Sequence, residues 1–138
     1  MNAKLIEADR VSSIIGGFYD VYRYFGFGFV ESVYSGALAL ELADRGHTIA
    51  TELAVDIRYK DRHVVWQRLD LVVDERIVVE VKSGERLPPY ASRQLVNYLH
   101  ATTFQVGLLL HFGPEPKFYR YVETRKRAPV LTRQSHTS

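Results

Sequence analysis

The chain has 138 residues and a mass of 15.9 kDa, which favours one domain with its own core. Apolar residues make up 46% and charged residues 25%, so a wholly disordered chain is excluded. Because the sequence contains no cysteine, disulfides, thiolate zinc sites and cysteine nucleophiles are excluded as well. The net charge of +2 is too small to indicate a nucleic-acid partner by itself.

Targeting signals are not evident in the sequence. The first ten residues carry charges of both signs and lack the apolar segment of a signal peptide. Apolar stretches such as residues 106–110 are far shorter than the ~20 residues of a membrane helix. We therefore expect a cytoplasmic protein with no membrane contact.

Hydrophobic periodicity predicts eight elements along the chain. Apolar residues three and four apart predict helices over about residues 3–24 and 29–44, separated by the glycine-containing segment 26–28. Alternation of apolar and polar residues then predicts a strand from near residue 47 to 59, a turn at 60–62, and strands over 64–73 and 76–83. Two prolines open a third helix over 90–102, and strands over 105–112 and 117–123 follow.

This order, α-α-β-β-β-α-β-β, predicts an α/β domain with a mixed β-sheet of about five strands flanked by helices. We expect the domain to span residues 1–123. Residues 124–138 contain Arg125, Lys126, Arg127 and Arg133 but no acid, and they predict a basic, flexible tail. An alternative is that this tail attracts phosphate groups.

The segment from Arg68 to Lys82 predicts a hairpin with one apolar and one charged face. Successive side chains of a strand point to opposite faces. If both strands alternate in this way, one face carries only apolar residues, namely Leu69, Leu71, Val73, Ile77, Val79 and Val81. A three-residue turn at 74–76 keeps the two faces matched. It places Asp70 across from Glu80 and Arg68 across from Lys82.

The charged face predicts a metal site. Two carboxylates facing each other at ~5 Å repel, but they become favourable when Mg²⁺ lies between them. Lys82 points at the same place, where it neutralises a phosphate or orients and helps to deprotonate an activated water. This combination suits phosphodiester hydrolysis. The alternative is a strand face whose charges are simply solvated.

Two pairs of helical residues add to this pattern. Glu31 and Tyr34 lie three apart in the second predicted helix, and Gln94 and Tyr98 lie four apart in the third, so each pair shares one side of its helix. For Glu31 the alternative is a favourable interaction with the helix dipole. For Gln94 and Tyr98, the alternative is a surface glutamine beside a tyrosine that covers the core.

The segment Gly28-x-x-Glu31-x-x-Tyr34 resembles the signature of the GxxExxY proteins, small bacterial members of the PD-(D/E)xK nuclease-like superfamily. The resemblance spans about residues 10–122. It continues through Asp70-Leu71-Val72-Val73, Val79-Glu80-Val81-Lys82, Gln94-Leu95-Val96-Asn97-Tyr98-Leu99 and Gly107-Leu108-Leu109-Leu110-His111-Phe112-Gly113. Phe27 and the segment 83–86 depart from the usual family residues, the latter at the rim of the expected site.

This resemblance implies a restriction-endonuclease-like core and assigns roles to residues of the site. Mg²⁺ or Mn²⁺ would be held by Asp70, Glu80, the carbonyl of Val81 and the additional acid Glu31. Lys82 would be the catalytic lysine. Gln94 and Tyr98 resemble the Gln-x-x-x-Tyr element of RecB-type nucleases, which helps to hold the substrate, and we place Arg68 with them as a substrate-binding residue.

The leading hypothesis is therefore a Mg²⁺-dependent nuclease that hydrolyses DNA, with RNA as the other nucleic-acid substrate. The alternative is a non-catalytic subunit that binds nucleic acid or serves assembly while retaining the nuclease fold. A third hypothesis is a structural partner in a larger complex. Under any of these hypotheses, the chain would act alone, as a homodimer or as a subunit of a larger complex.

Overall fold

The computed structural model describes residues 6–124 and the backbone of residues 132–134. Three helices are present in this part of the chain: α1 (Ala8–Phe25), α2 (Glu31–Asp44) and α3 (Ala91–Ala101). The strands are β1 (Ile49–Tyr59), β2 (Arg62–Val73), β3 (Ile77–Ser83), β4 (Val106–Phe112), β5 (Pro116–Val122) and β6 (Thr132–Gln134). The eight predicted elements are confirmed, with boundaries within two residues of the predicted ones, except that α1 begins at Ala8 and not near residue 3.

The strands form one mixed sheet in the order β5-β4-β3-β2-β1-β6. The β3–β4 pair is parallel, and the other neighbouring pairs are antiparallel. The predicted α/β class with a mixed sheet is therefore confirmed. A sixth strand, β6, was not predicted. It lies in the segment expected to form the basic tail, and it pairs with β1. Residues 125–131 and 135–138 of that tail lie outside the described residues, so its flexibility stays a prediction.

Two apolar clusters cover the two faces of the sheet. On one face, α1 and α2 pack against β3 and β4 through residues that include Phe18, Leu38 and Leu108. On the other face, α3 packs through Leu95 and neighbouring apolar residues against the same central strands. Because each face of β3 and β4 meets a helix, these strands are buried almost throughout.

The expectation that Leu69, Leu71 and Val73 share one face is wrong for Leu69. Leu71 and Val73 pack against α1 and α2, whereas Leu69 belongs to the α3 cluster. The change occurs beside Glu52 of β1, which has a φ of 53° and lies between the pairs Thr51–Leu71 and Leu53–Leu69. Strict alternation holds only while the backbone stays extended, and the left-handed residue rotates both strands.

The predicted three-residue turn between β2 and β3 is confirmed. Val73 pairs with Ile77, and Asp74 and Glu75 have φ values of 55° and 57°. Asp74 occupies a conformation that aspartate tolerates better than most residues. The turn thus fixes the register on which the spacing of the candidate site residues depends.

Asp74 also anchors the turn to the rest of the fold. Its carboxylate accepts hydrogen bonds from Arg10 Nε at 3.1 Å and from the Thr48 amide at 2.8 Å, and it contacts His47 Nδ1 at 2.7 Å. His47 Nε2 lies 2.7 Å from Ser13 Oγ, so the network reaches α1 and the loop between α2 and β1. Burial opposes the charge of Asp74, but the hydrogen bonds from His47 and Thr48 outweigh it and lower the pKa of Asp74.

We predict that Asp74→Asn destabilises the protein by about 1–3 kcal/mol at neutral pH, because charge-assisted hydrogen bonds are lost without disturbing the turn conformation. The lowered pKa means that the stabilising charge is present above 3.8 and is lost as the pH falls through the folded-state value. Urea unfolding at several pH values measures this, and the difference from wild type should shrink in acid.

The matched control is Asp61→Asn, since Asp61 is exposed and has a φ of 63° in the β1–β2 turn. Equal unfolding free energies for wild type and Asp74→Asn at neutral pH would contradict the anchoring role of this residue.

Candidate functional site

The candidate site lies where β2 and β3 separate. Their paired residues are Val73–Ile77, Val72–Val78 and Leu71–Val79, and the ladder does not extend to Asp70 and Glu80. β3 continues along β4 as far as the Ser83–Phe112 pair, while β2 continues along β1. A gap in the sheet therefore opens beyond Leu71 and Val79.

Asp70 fills the β2 side of this gap. Its Oδ2 accepts a hydrogen bond from the Val81 amide at 3.0 Å, so the carboxylate replaces the missing strand partner. The N–H and C=O groups of one strand residue point to the same side of the strand. The Val81 carbonyl therefore faces the same gap as the Asp70 carboxylate.

Glu80 lies beside Asp70 and is almost completely buried, with 6% of the residue exposed. Burial raises the pKa of Glu80 to about 9, and the charge of Asp70 together with a hydrogen bond between the two carboxyl groups adds to the rise. At neutral pH Glu80 is therefore protonated. The Oε1 atom of Glu80 is buried and has no hydrogen-bond partner among the described residues.

Lys82 and Glu31 meet next to this carboxylate pair. Lys82 Nζ lies 3.9 Å from Glu31 Oε1, and the two side chains are 20% and 45% exposed. Burial raises the pKa of Glu31, the charge of Lys82 opposes the rise, and the charge of Asp70 adds to it. The structure thus brings Glu31, Asp70, Glu80 and Lys82 into one electrostatically coupled group.

Tyr34 fixes the position of Glu31 at the start of α2. The tyrosine is fully buried and stacks on Phe112, with ring centroids 4.2 Å apart. Its hydroxyl donates to the carbonyl of Gly26 at 2.5 Å and accepts from the Phe29 amide at 3.2 Å. Tyr34 therefore holds the loop that precedes α2, and it does not itself point into the site.

On the α3 side, Tyr98 and Gln94 border the carboxylate pair. Burial raises the pKa of Tyr98, a hydrogen bond from Gln67 opposes the rise, and the charges of Glu80 and Asp70 add to it. Gln67 Nε2 donates to Tyr98 Oη at 3.1 Å. Sequence reasoning missed Gln67, because an uninterrupted alternation along β2 gives it no relation to Asp70.

Arg68 is not brought into the group. It is exposed and pairs with Ala54 of β1, not with Lys82. Since Leu69 faces α3, the neighbouring Arg68 side chain points to the opposite face of the sheet. Within residues 6–124, no hydrogen bond or ion pair joins it to Asp70 or Lys82, and its role in substrate binding stays a prediction.

A cavity of about 370 Å³ lies on the α2 side of Asp70. Glu31 and Ser35 of α2 line it together with Glu52 and Asp70. Glu52 was missed by the sequence analysis, because its left-handed conformation, and with it its place in the cavity wall, has no signal in the alternation.

The residues present fit a small divalent cation bound to few protein ligands. Among the described residues, no group of three or more histidine, aspartate or glutamate side chains is arranged to hold a metal ion, so the role of Glu31 as an additional ligand stays a prediction. Mg²⁺ is usually held by one or two carboxylates and keeps several waters. The unpartnered Glu80 Oε1, the Asp70 carboxylate and the Val81 carbonyl match that requirement.

A family model decides the relationship of this chain to known proteins. The model of the PD-(D/E)XK nuclease superfamily matches residues 8–123, which include every element from α1 to β5. The chain belongs to this superfamily. The restriction-endonuclease-like α/β fold expected from the sequence is thereby confirmed. Superfamily members generally use divalent metals such as Mg²⁺, in agreement with the composition of the site.

This PD-(D/E)XK chain was also compared with solved structures and with curated proteins. The solved structure titled "Crystal structure of SSO0001" is 22% identical, with a TM-score of 0.49 over 83% of this chain. This chain spans about three fifths (61%) of the length of that structure. No match was found among curated proteins. No helix in the described part of the chain is long and apolar enough to span a membrane.

We predict that the free energy of unfolding of the metal-free protein falls as the pH rises from about 4.5 to about 9. The folded-state pKa of Glu80 is raised from 4.5 to about 9, so over that range the folded protein keeps a proton on Glu80 that the unfolded chain releases. Urea unfolding in EDTA measures the slope. Glu80→Gln should flatten it, whereas Glu75→Gln, at an exposed position in the β2–β3 turn, should not.

We also predict that millimolar Mg²⁺ or Mn²⁺ raises the melting temperature at pH 8 above its value in EDTA. A cation that binds only the native site stabilises it by mass action and compensates the charge of the Asp70–Glu80 pair. Thermal melting of wild type and Asp70→Asn measures this. An equal rise in both proteins would show that the ion binds elsewhere.

Proposed function

We propose that this chain is a Mg²⁺-dependent nuclease that hydrolyses DNA phosphodiester bonds at the site formed by Asp70, Glu80 and Lys82. The observation that carries this proposal is the pair formed by the buried Glu80 and the half-buried Asp70, which lies beside a lysine in a gap of the sheet. Two neighbouring carboxylates, one of them almost completely buried, repel each other and form a poor structural pair but a good cation site. Membership in a nuclease superfamily supports the same chemistry.

In this proposal Asp70, Glu80 and the Val81 carbonyl hold the Mg²⁺ ion. When bound, the ion supplies positive charge for the phosphate oxygens and lowers the pKa of a coordinated water. The hydrogen bond from the Val81 amide fixes the orientation of the Asp70 carboxylate before the ion binds. Burial of Glu80 keeps bulk water away from the second carboxylate.

Lys82 orients the attacking water and neutralises charge on the phosphate in this proposal. Its side chain is one fifth exposed, so the lysine is not sealed inside the protein. Glu31 acts as a positioning residue, because its carboxylate lies 3.9 Å from Nζ and draws the lysine toward α2. Tyr34 sets that distance indirectly by holding the start of α2.

We further propose that the chain is a GxxExxY protein within the superfamily. This proposal is supported by the segment Gly28-x-x-Glu31-x-x-Tyr34, in which each of the three residues has a different structural position. Gly28 has a φ of 119°, a conformation that favours glycine, and it lies in the loop that Tyr34 anchors. The three residues thus contribute a turn, an acid beside Lys82 and a buried anchor.

We predict that the purified protein cleaves supercoiled plasmid or single-stranded DNA in Mg²⁺ or Mn²⁺ and is inactive in EDTA. Lys82→Ala and Asp70→Asn should each reduce the cleavage rate by roughly 100-fold or more, since each removes a group that acts directly on the reacting phosphate or water. Gel electrophoresis of the products at several times gives the rates, and an RNA oligonucleotide provides a parallel substrate.

The matched control is Asp44→Asn, which removes an exposed carboxylate at the far end of α2 from Glu31. It should cleave DNA as wild type does. Cleavage that survives both Lys82→Ala and Asp70→Asn would contradict the proposed site. DNA binding without cleavage under any metal condition would instead favour the alternative of a non-catalytic nucleic-acid-binding subunit.

A further inference from the structure

An open groove of about 520 Å³ lies between α3 and the β1–β2 hairpin. Its walls are mostly apolar, with Ile57 and Val65 on the hairpin side and Tyr90 and Ala101 on the helix side. Tyr90 directly precedes α3 and is 61% exposed, and Val65 is 46% exposed. Large exposed apolar side chains that face one another across a groove indicate a binding surface for a ligand with apolar faces.

The inner end of the groove lies near the carboxylate site. Gln94 and Tyr98 line its inner end, and Gln67 joins them by donating to Tyr98 Oη. Tyr98 packs in the same apolar cluster as Leu69, which directly precedes Asp70 on β2, so this end of the groove lies close to the pair. A polymer with a phosphate at the Asp70–Glu80 pair would therefore place an adjoining unit in the groove.

The polar groups of the groove suit a nucleobase. Three amide side chains, Gln67, Gln94 and Asn97, offer both donors and acceptors, as the edge of a base requires. Arg93 provides a cation at the same wall, and Tyr90 provides an exposed aromatic face for stacking. The volume lies in the range of about 300–1,000 Å³ that is usual for small ligands, which is large enough for a single base.

We propose that this groove binds an unpaired base of single-stranded DNA next to the phosphate held at the carboxylate site. A base inside a duplex is stacked and paired, so its faces and edges are unavailable to Tyr90 and to the three amides. The expected substrate is therefore single-stranded DNA or a duplex end with an unpaired overhang. The position of the phosphate rests on the proposed nuclease function, whereas the base-binding groove does not.

The test is fluorescence anisotropy in EDTA, where metal-dependent cleavage is prevented. The probes are a labelled 12-nucleotide oligothymidylate, the same backbone with abasic positions throughout, a 12-base-pair duplex and an oligouridylate. We expect the wild type to bind oligothymidylate at least tenfold more tightly than the abasic strand or the duplex. Tyr90→Ala should weaken oligothymidylate binding about tenfold and leave abasic binding unchanged, since it removes one base–aromatic stack.

Two variants control for indirect effects. Tyr90→Phe keeps the ring and should bind as wild type does. Tyr24→Ala removes a tyrosine that is 84% exposed on α1, on the opposite face of the sheet from α3, and it should not change binding. Equal affinity for oligothymidylate and the abasic strand, or no effect of Tyr90→Ala, would overturn the inference. Tighter binding of oligouridylate would overturn DNA as the occupant.

Cleavage assays in Mg²⁺ with the same variants separate this inference from the proposed function. Cleavage that depends on Lys82 but shows no preference for single strands would contradict base binding in the groove. The same result would still support the proposed nuclease activity. Tyr90-dependent binding of oligothymidylate with no cleavage of any substrate would support the groove and refute the nuclease.

Discussion

The hydrogen bond from the Val81 amide to the Asp70 carboxylate is the interaction on which the site depends. β2 leaves β3 after the Leu71–Val79 pair, and an interior strand amide left without a partner is costly. Asp70 satisfies that amide with its side chain, which lets the sheet open without losing the bond. The same contact places Asp70 beside Glu80 and leaves the Val81 carbonyl facing the gap. A structural requirement of the sheet therefore creates the candidate ligand set.

The carboxylate pair gives this opening its chemical character. Burial of Glu80 in a sheet covered by helices on both faces would favour an apolar residue at this position, and the two acids are compatible only when a positive charge lies between them. A proton meets that requirement in the protein alone, and a divalent cation meets it with more ligands. Lys82 is held toward Glu31 at the edge of the pair, so its charge supports the site without occupying the position between the acids.

Sequence patterns predicted most of the fold, because helix and strand periodicities are local and this chain follows them closely. The turn at 74–76 and its register were also predictable, since only one turn length keeps the apolar residues of β2 and β3 together. Leu69 was misplaced because the change of face at Glu52 comes from one left-handed residue on the neighbouring strand. The same rotation moves Arg68 away from the site and brings Gln67 to Tyr98, so neither outcome was visible along β2 alone. Strand β6 was missed because three polar residues in a basic tail carry no strand signal.

The central claim is that Asp70, Glu80 and the Val81 carbonyl together bind one divalent cation. Anomalous diffraction from crystals grown with millimolar Mn²⁺ tests this most directly, because it locates the ion independently of any assay. The account predicts a peak about 2–2.5 Å from one oxygen of each of these three groups. A peak bound only at other carboxylates, with none between Asp70 and Glu80, would contradict it.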